Sequence, residues 1–552
     1  MSGGVCQSVA GGDQWCAYPD NSCSSGFAFS TYDIGDDLSG TCVPEPLHEL
    51  TVSIAAENGG SGTVTVGTGS GAEVCLNGPC TYQLDAGTTV VLTSTVSAGA
   101  FVGWDGAGSG ACGSAGQCAF AMNADYSVSA TFGEYGQPIW QTSLDDATAR
   151  SLAYSGDNTL VVAGAFSNTS PAPHVSPVGE EDTFVAKLDA ATGALIWIQS
   201  FGTVSGGTTI PSSVSVGSDN GIYVAGVYHG PLIFGTTTLV ASGQQSGYLI
   251  KFDTTGQFVW AKTVTSSTLA SYSRVSVGGD VVAAIGATGF SNTFLQTFDI
   301  NGGSGFDVTL SASGEVVGQS VFVDHADNVL VAGTANGGDI SFGGATYATD
   351  GYDGFVAKFT SAGVPLWSSI VGASGSDSFS VVSVDTADNV FLAGTFSGDV
   401  TIDTATFNAN DNNVVAMKLN SSGVYQWATP IGGTTAQPIA GGLAVLPSGH
   451  VVVAGTYCGT LDWAQASFSS QLACGMSISN VFVGSVDANT GTMETAISGG
   501  GNSSTTTDSE IGIVDTLDGR AYIAGNFAGA SVFGGESISD SSELYVLALS
   551  SL

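Results

Sequence analysis

The sequence has very few cations. Of its 552 residues, 8 are Lys or Arg and 47 are Asp or Glu, which gives a formal net charge of −39 at pH 7. Proteins that bind nucleic acid neutralise phosphates with Lys and Arg, and basic segments hold proteins on anionic membranes. We therefore expect no nucleic-acid partner and no docking on an anionic membrane surface.

Long apolar runs are also missing. No stretch approaches the roughly 20 apolar residues that span a bilayer. Residues 1–14 have neither the basic start nor the apolar core of a secretion signal. We therefore expect no membrane span, and a leader that was removed or that precedes this sequence.

Strong helix formers are sparse as well. Charged residues of both signs amount to 10%, whereas glycine occurs 80 times and hydrophobic residues reach 43%. A chain with this much apolar material can build a core, which excludes intrinsic disorder. Its low content of Leu, Lys and Glu predicts a turn-rich, all-β protein.

The ten cysteines favour disulfide bonds over metal sites. They fall into three local groups of even number, without the two-residue spacing of a zinc knuckle, and the five histidines are scattered. We expect every cysteine to be oxidised and the protein to be extracellular or at a cell surface. The groups are Cys6, Cys16, Cys23 and Cys42, then Cys75, Cys80, Cys112 and Cys118, and finally Cys458 and Cys474.

Two small regions precede the main body of the chain. Residues 1–48 form a disulfide-rich unit, and residues 49–133 contain short strands with period-two alternation. The segments FVGW (Phe101 to Trp104) and MNADYSVSATF (Met122 to Phe132) resemble the internalin B-repeat of bacterial surface proteins. The resemblance implies a β-rich spacer or adhesive stalk without catalytic residues, in which the Cys75–Cys80 and Cys112–Cys118 loops staple two hairpins.

Residues 134–552 repeat with a period above 40 residues, which indicates a repeat architecture. One marker is an apolar strand that ends in glycine, and a second is a hairpin that ends in Trp. In the third unit Gln296 and Phe306 replace the Lys and Trp of this hairpin. The glycine markers are Gly164, Gly226, Gly286, Gly333, Gly394, Gly455 and Gly525, and the Trp markers are Trp197, Trp260, Trp367 and Trp427.

The order of the markers predicts a closed ring. The strand of Trp140 precedes the first glycine marker, and no Trp strand follows the last. The glycine-marked and Trp-marked strands are equal in number if the N-terminal strand completes the last blade, as in circular β-propellers. From Gln137 to Leu552 the repeats resemble the bacterial seven-bladed β-propeller repeat family. The resemblance implies an all-β fold with seven blades.

Residues that recur in every blade indicate packing rather than a single site. Lys187, Lys251, Lys358 and Lys418 share one repeat position. They are interpreted as structural lysines that pair with a carboxylate of their own blade, rather than as a ring of cations. The Trp residues are interpreted as packing aromatics.

Aspartates recur at predicted hairpin turns, at Asp157, Asp219, Asp327 and Asp388, each followed by Asn. The pairs Asp324/Asp327, Asp385/Asp388 and Asp515/Asp518, and the stretch from Asp33 to Asp37, could bind calcium. No full ligand set is visible, so turn chemistry is the preferred interpretation. The metal site therefore stays open, and we expect no cofactor unless calcium binds at these turns.

No catalytic or cofactor-binding residue is assigned. The sequence lacks the G-x-S-x-G, H-E-x-x-H and phosphate-loop motifs, and His48, His174, His229, His325 and His450 share no repeat phase. The hairpin LDAATGALIW resembles a blade motif of quinoprotein propellers, which hold pyrroloquinoline quinone and calcium. No C-x-x-C-H haem motif accompanies it.

These observations lead us to expect an exported, non-enzymatic propeller that binds a protein or a glycan at a cell surface and is presented on a β-rich stalk. The alternative is a self-assembling subunit of an extracellular filament or surface layer, which would bind copies of itself. A hydrolase or a quinoprotein ranks third. Three insertions are candidate recognition loops, or else drift in tolerant surface loops: 168–182, 458–474 and 501–510.

Overall fold

Every regular element that the structure describes is a β-strand, which confirms the predicted all-β class. The computed structural model describes residues 5–549 apart from four longer gaps, 30–41, 107–116, 167–178 and 502–511, and shorter gaps of at most five residues. Within the described residues, no helix has the length and hydropathy needed to cross a membrane. The chain divides into two compact units, Met1–Glu134 and Tyr135–Leu552.

The first unit contains one three-stranded sheet and two four-stranded sheets. Its strands are β1 (Val5–Ser8), β2 (Gln14–Pro19), β3 (Phe27–Phe29), β4 (Leu47–Ala56), β5 (Ser61–Thr68), β6 (Gly71–Cys75), β7 (Cys80–Asp85), β8 (Thr89–Ala98), β9 (Ala100–Asp105), β10 (Gln117–Ala121) and β11 (Tyr126–Gly133). The strand orders are β1-β2-β3, β10-β8-β5-β6 and β7-β4-β11-β9. The two four-stranded sheets share one core, which includes Val52, Val64, Leu92, Trp104 and Phe132.

In its described residues the second unit contains seven sheets of four or more strands, which we call blades and number along the chain. It begins with β12 (Pro138–Leu144). Blade 1 comprises β13 (Ala147–Ser155), β14 (Thr159–Phe166), β15 (Asp182–Asp189) and β16 (Leu195–Phe201). Blade 2 comprises β17 (Thr209–Val216), β18 (Ile222–Tyr228), β21 (Ser246–Phe252) and β22 (Phe258–Val264), with the added hairpin β19 (Leu232–Phe234) and β20 (Thr237–Leu239).

Blades 3 to 5 repeat this order. Blade 3 comprises β23 (Ala270–Gly278), β24 (Val281–Thr288), β25 (Asn292–Asp299) and β26 (Ser304–Leu310). Blade 4 comprises β27 (Glu315–Val323), β28 (Val329–Asn336), β31 (Tyr352–Phe359) and β32 (Pro365–Val371), with the hairpin β29 (Asp339–Phe342) and β30 (Ala345–Ala348). Blade 5 comprises β33 (Ser378–Val384), β34 (Val390–Phe396), β37 (Asn413–Leu419) and β38 (Tyr425–Ile431), with the hairpin β35 (Asp399–Ile402) and β36 (Ala405–Asn408).

The last two blades are linked through a hairpin. Blade 6 comprises β39 (Ile439–Val445), β40 (His450–Tyr457), β43 (Asn480–Asp487) and β44 (Met493–Gly501), with the hairpin β41 (Thr460–Trp463) and β42 (Ala466–Ser469). Blade 7 comprises β45 (Gly512–Val514), β46 (Ala521–Phe527) and β49 (Glu543–Leu549), together with β12. The remaining hairpin, β47 (Ser531–Phe533) and β48 (Glu536–Ile538), pairs with β44 of blade 6.

The unit closes as the order of the markers predicts. The N-terminal strand β12 pairs antiparallel with the C-terminal strand β49, with Gln141 opposite Leu547. The first strands of the blades contact one another in a ring that returns from β45 to β13. Closure removes the open sheet edges that invite pairing with another chain. The predicted propeller fold is therefore confirmed.

The burial of each strand explains its sequence. The second strand of blade 1, β14 (TLVVAGAF), is buried at every position, because it lies between two strands and between two neighbouring blades. The fourth strand, β16 (LIWIQSF), is half-buried or exposed over most of its length. A continuous apolar run is expected for a strand covered on both faces.

Candidate functional site

The first strands of the blades line the centre of the ring, and each of the first six has a β-bulge against its second strand. A bulge re-aims one side chain and is common beside functional sites. The bulged residues occupy one repeat position in six blades, and they are Arg150, Ser212, Ser273, Gln319, Ser380 and Gly441. We refer to this set as the bulge ring.

The glycine markers lie opposite the bulge ring. Gly164 pairs with Ala149, next to the bulge in β13. A Cβ atom at Gly164 would collide with the Thr148 carbonyl oxygen and with the Phe184 ring. The bulge therefore requires glycine, which explains why each of the first six blades has one at this position. The equivalent collisions in other blades involve Gly226 with Ile210, Gly286 with Ser271, Gly333 with Val317, Gly394 with Ser378 and Gly455 with Ile439.

Serine side chains link the first strands of neighbouring blades. A serine just after the bulge accepts a hydrogen bond from a backbone N–H of the next blade's first strand. These strands have no backbone partner on their inner side, so the hydroxyl satisfies a donor that would otherwise depend on water. The bonds run from Val214 N to Ser151 Oγ at 3.0 Å, from Val275 N to Ser213 Oγ at 3.2 Å and from Val382 N to Ser320 Oγ at 3.2 Å.

An arginine replaces this serine in blade 3. Arg274 is exposed, and its Nη1 donates to the carbonyl oxygens of Ser212 at 3.2 Å and Ser273 at 3.1 Å. Both acceptors belong to the bulge ring, so the guanidinium lies on the inner side of the first strands. The half-buried Arg150 occupies the bulge of blade 1. Two of the chain's three arginines therefore lie in strands that line the channel, on either side of blade 2.

A recess of about 430 Å³ opens between blades 4 and 5, where β27 begins and β28 ends. Its wall includes Gln319 of the bulge ring together with two carboxylates and a tyrosine. The Tyr352 hydroxyl lies 3.5 Å from Glu315 Oε2, and the Tyr352 carbonyl accepts a 2.7 Å hydrogen bond from Asp377 N. Asp377 is buried, and its Oδ1 accepts a 2.9 Å bond from Ser397 N. Sequence reasoning missed this recess, because its residues come from four strands and from the connection between two blades.

The recurring lysines are buried and structural. Burial alone would raise the pKa of the Asp157 carboxyl. Hydrogen bonds from Lys187, Thr159 and Ser155 together have the larger effect, so this pKa lies below its ordinary value. Lys418 differs, since its Nζ donates to the Ala488 carbonyl of the next blade at 2.9 Å. The expected pairing within one blade is present at Lys187–Asp157 (2.7 Å), Lys251–Asp219 (2.6 Å) and Lys358–Asp324 (2.7 Å). These lysines are buried, so their ion pairs differ from the weak pairs of an exposed surface.

The predicted turn aspartates form turns in the described residues. Asp327 and Asp388 adopt left-handed φ values of 60° and 57°, which Asp and Asn tolerate better than most residues. Asp324 accepts hydrogen bonds from Asn328 and binds Lys358, so its carboxylate already has a cation. Within the described residues no group of three or more His, Cys, Asp or Glu could hold a metal ion. Asp515, Asp518 and the stretch from Asp33 to Asp37 lie outside the described residues.

Disulfide bonds join Cys23 to Cys42, Cys75 to Cys80 and Cys458 to Cys474. Cys118 is also disulfide-bonded. In the backbone register Cys6 lies opposite Cys16, and Cys112 lies outside the described residues. Most of two candidate recognition loops lies outside the described residues as well, namely 168–178 of the loop 168–182 and 502–510 of the loop 501–510.

The repeat family PQQ_2, described as outer membrane protein assembly factor BamB, matches residues 102–465. This is more than half of the chain, and the protein therefore belongs to this propeller repeat family. No curated protein matches the sequence.

Solved structures with a similar fold are distant in sequence. Quinohemoprotein alcohol dehydrogenase ADHIIG from Pseudomonas putida HK5 is 10% identical, with a TM-score of 0.39, and the match covers 75% of this chain and 76% of that one. A europium-containing methanol dehydrogenase is 12% identical, with a TM-score of 0.38 and coverage of 74% and 81%. The β-propeller domain of the trilobed protease from Pyrococcus furiosus is 9% identical, with a TM-score of 0.36 and coverage of 72% and 96%.

The family match corrects the functional prediction. The sequence alone favours a non-enzymatic adhesion or protein-binding propeller first and a self-assembling filament or surface-layer subunit second. The chain instead belongs to the PQQ-type repeat family. This match overturns the placement of those two interpretations above the enzyme interpretation. Fold alone does not define an activity, so the site must provide the argument.

Proposed function

We propose that the propeller is a redox enzyme of the quinoprotein type, whose central channel binds a carboxylate-bearing quinone through Arg150 and Arg274. One observation carries this proposal. In a chain with a net charge of −39, two of only three arginines belong to the channel-lining strands. Arginine binds carboxylates with a planar pair of donors and keeps its charge at any physiological pH.

The contacts of Arg274 place its guanidinium beside the bulge ring. Its Nη1 donates to two backbone carbonyl oxygens there, those of Ser212 and Ser273. Arg274 also stands where other blades have the serine that links neighbouring first strands, at Ser151, Ser213 and Ser320. Blade 3 thus has a cation at this position, and its link to blade 4 is made by Ser276, whose Oγ accepts a 3.0 Å hydrogen bond from Val323 N.

The described residues fit one part of the quinone site. Pyrroloquinoline quinone carries carboxylates, which match the charge of the two guanidinium groups. The divalent metal that accompanies it in quinoproteins has no such match, since no group of three or more acidic, His or Cys side chains is found in the described parts of the chain. Any metal ligands are therefore left unassigned.

The bound quinone would supply the two-electron acceptor. The arginines would bind and orient its carboxylates, and the linking serines would keep the first strands at fixed distances around it. A site held by rigid strands loses little entropy when its ligand binds. The disulfide bonds support the further proposal that the protein works in an oxidising compartment outside the cytoplasm.

The test is a titration of the full chain with pyrroloquinoline quinone, with and without calcium, followed by a dye-linked assay on simple alcohols. We expect a saturable change in the quinone absorbance and alcohol-dependent dye reduction by the loaded protein. The matched control is Arg520→Gln, which removes the third arginine, beside β46 and outside the first strands. Absence of saturable quinone binding by the wild-type chain would contradict the proposal.

A further inference from the structure

The recess between blades 4 and 5 has a charge opposite to that of the arginine pair. The described residues of its wall include Glu315 and Asp377, and none of these wall residues is Lys or Arg. Asp377 is 1% exposed, so water screens its charge poorly. The recess therefore disfavours anions, including the quinone carboxylates proposed for the channel.

An exposed aromatic ring stands at this recess. Tyr352 is 41% exposed, and its hydroxyl lies 3.5 Å from Glu315 Oε2. A tyrosine face beside a carboxylate attracts an ammonium group in two ways, through the ring quadrupole and through a charge-assisted hydrogen bond. The nearby hydroxyls of Thr334 and Ser378 can accept further N–H donors.

The recess is held by contacts between two blades. Tyr352 forms a parallel bridge with Ser376, and its carbonyl accepts the backbone N–H of Asp377. Asp377 in turn accepts a hydrogen bond from Ser397 N, at the end of the second strand of blade 5. The backbone of Tyr352 is thus fixed by the neighbouring blade, and the recess does not depend on a free loop.

We propose that this recess is a binding site for a small aliphatic amine in its ammonium form. Glu315 receives the ammonium group, and the Tyr352 ring covers it. The volume of about 430 Å³ lies within the range of small-molecule sites and accommodates a short diamine. The strongly negative charge of the whole chain also raises the local concentration of cations. This site is independent of the quinone proposal, because it uses neither arginine.

The decisive experiment compares two probes of equal length on the full chain by calorimetry at low ionic strength. The probes are 1,4-diaminobutane, which is doubly charged, and 1,4-butanediol, which is neutral. We expect saturable binding of the diamine and none of the diol. Binding of the diol as tight as that of the diamine would overturn the proposal and indicate a site for hydroxylated ligands. Absence of diamine binding would overturn it as well.

Substitutions then locate the diamine in the recess. Glu315→Gln is expected to weaken diamine binding about tenfold, because a charge-assisted bond is lost. Tyr352→Phe keeps the ring and is expected to change affinity little, whereas Tyr352→Ser is expected to weaken it about threefold. The control Asp399→Asn removes an equal charge from an exposed position on the β35–β36 hairpin. If Asp399→Asn and Glu315→Gln weaken binding equally, the amine is held by overall charge and the proposal fails.

Discussion

The indole Nε1 of Trp140 donates a 3.0 Å hydrogen bond to the carbonyl oxygen of Ala190. Trp140 belongs to β12 in blade 7, and Ala190 lies in the last turn of blade 1, so this bond spans the point where the ring closes. The same bond links other neighbouring blades, from Trp197 to Thr254 at 3.3 Å, Trp260 to Ile300 at 3.1 Å, Trp367 to Ser421 at 3.1 Å and Trp427 to Ala488 at 3.2 Å.

The substitution Trp140→Phe tests the closing bond. It keeps an aromatic ring against Gly193 but removes the donor, and we expect the free energy of unfolding to fall by about 1 kcal/mol. Trp367→Phe removes the same bond within the continuous chain and is the matched control. Denaturant unfolding measures both variants. Wild-type stability in Trp140→Phe would show that the bond does not contribute to closure.

The substitution Gly164→Ala tests the explanation of the glycine markers. The added Cβ meets the Thr148 carbonyl, which is backbone and cannot rotate away. We expect a loss of roughly 1–3 kcal/mol in the free energy of unfolding. Gly69→Ala is the control, since a Cβ there has no atom within 4 Å. Equal stability of the two variants in denaturant unfolding would contradict this explanation.

Removing the charge of Asp324 is expected to lower the stability of the fold, whereas removing the charge of Asp327 is expected to leave it unchanged or raise it. Burial alone would raise the pKa of the Asp324 carboxyl. Hydrogen bonds from Lys358 and Asn328 together have the larger effect, so this pKa is lowered. The carboxylate therefore stabilises the fold above its unfolded pKa of about 3.9, and this contribution disappears as the pH falls through the lower folded value. The pKa of Asp327 is raised by burial and by the charges of Asp280 and Asp324.

We accordingly expect Asp324→Asn to destabilise the protein at neutral pH by about 3 kcal/mol, because it leaves Lys358 buried without its carboxylate partner. Asp327→Asn is expected to be neutral or stabilising, since it removes repulsion and Asn tolerates the left-handed backbone. Thermal unfolding between neutral and acidic pH distinguishes the two variants. The difference between wild type and Asp324→Asn should shrink as Asp324 becomes protonated. A difference that does not change with pH would contradict the assigned ion pair.

The parts of the fold that repeat could be predicted from the sequence, because each repeat is an independent copy of the same constraint. Glycine recurs opposite the bulges, Trp recurs at the contacts between blades, and the unbalanced Trp140 strand predicted the closure. Unit three shows that the contact between blades matters more than the residue type. Phe306 replaces Trp there and packs against Gly363 of the next blade. Gln296 replaces the lysine of this unit and donates a hydrogen bond to Asp307.

The candidate sites could not be predicted in this way, since they depend on departures from the repeat. Arg274 stands where other blades have a linking serine, and only the pairing register reveals the shared position. The recess joins Glu315 to Asp377, which lie 62 positions apart in the sequence and meet only when two blades pack together. The repeated Ser and Gly of the first strands carry little sequence signal, because both residues are common throughout the chain.

The most direct test of the central claim is calorimetric titration of pyrroloquinoline quinone into three proteins: wild type, the double variant Arg150→Gln/Arg274→Gln, and Arg520→Gln. Each substitution removes a guanidinium and keeps a polar side chain, and circular dichroism checks that the β structure is retained. We predict that the double variant loses at least about tenfold in affinity, as expected for charge-assisted bonds, and that Arg520→Gln binds like wild type. Equal affinity of all three proteins would contradict a carboxylate site at the channel arginines.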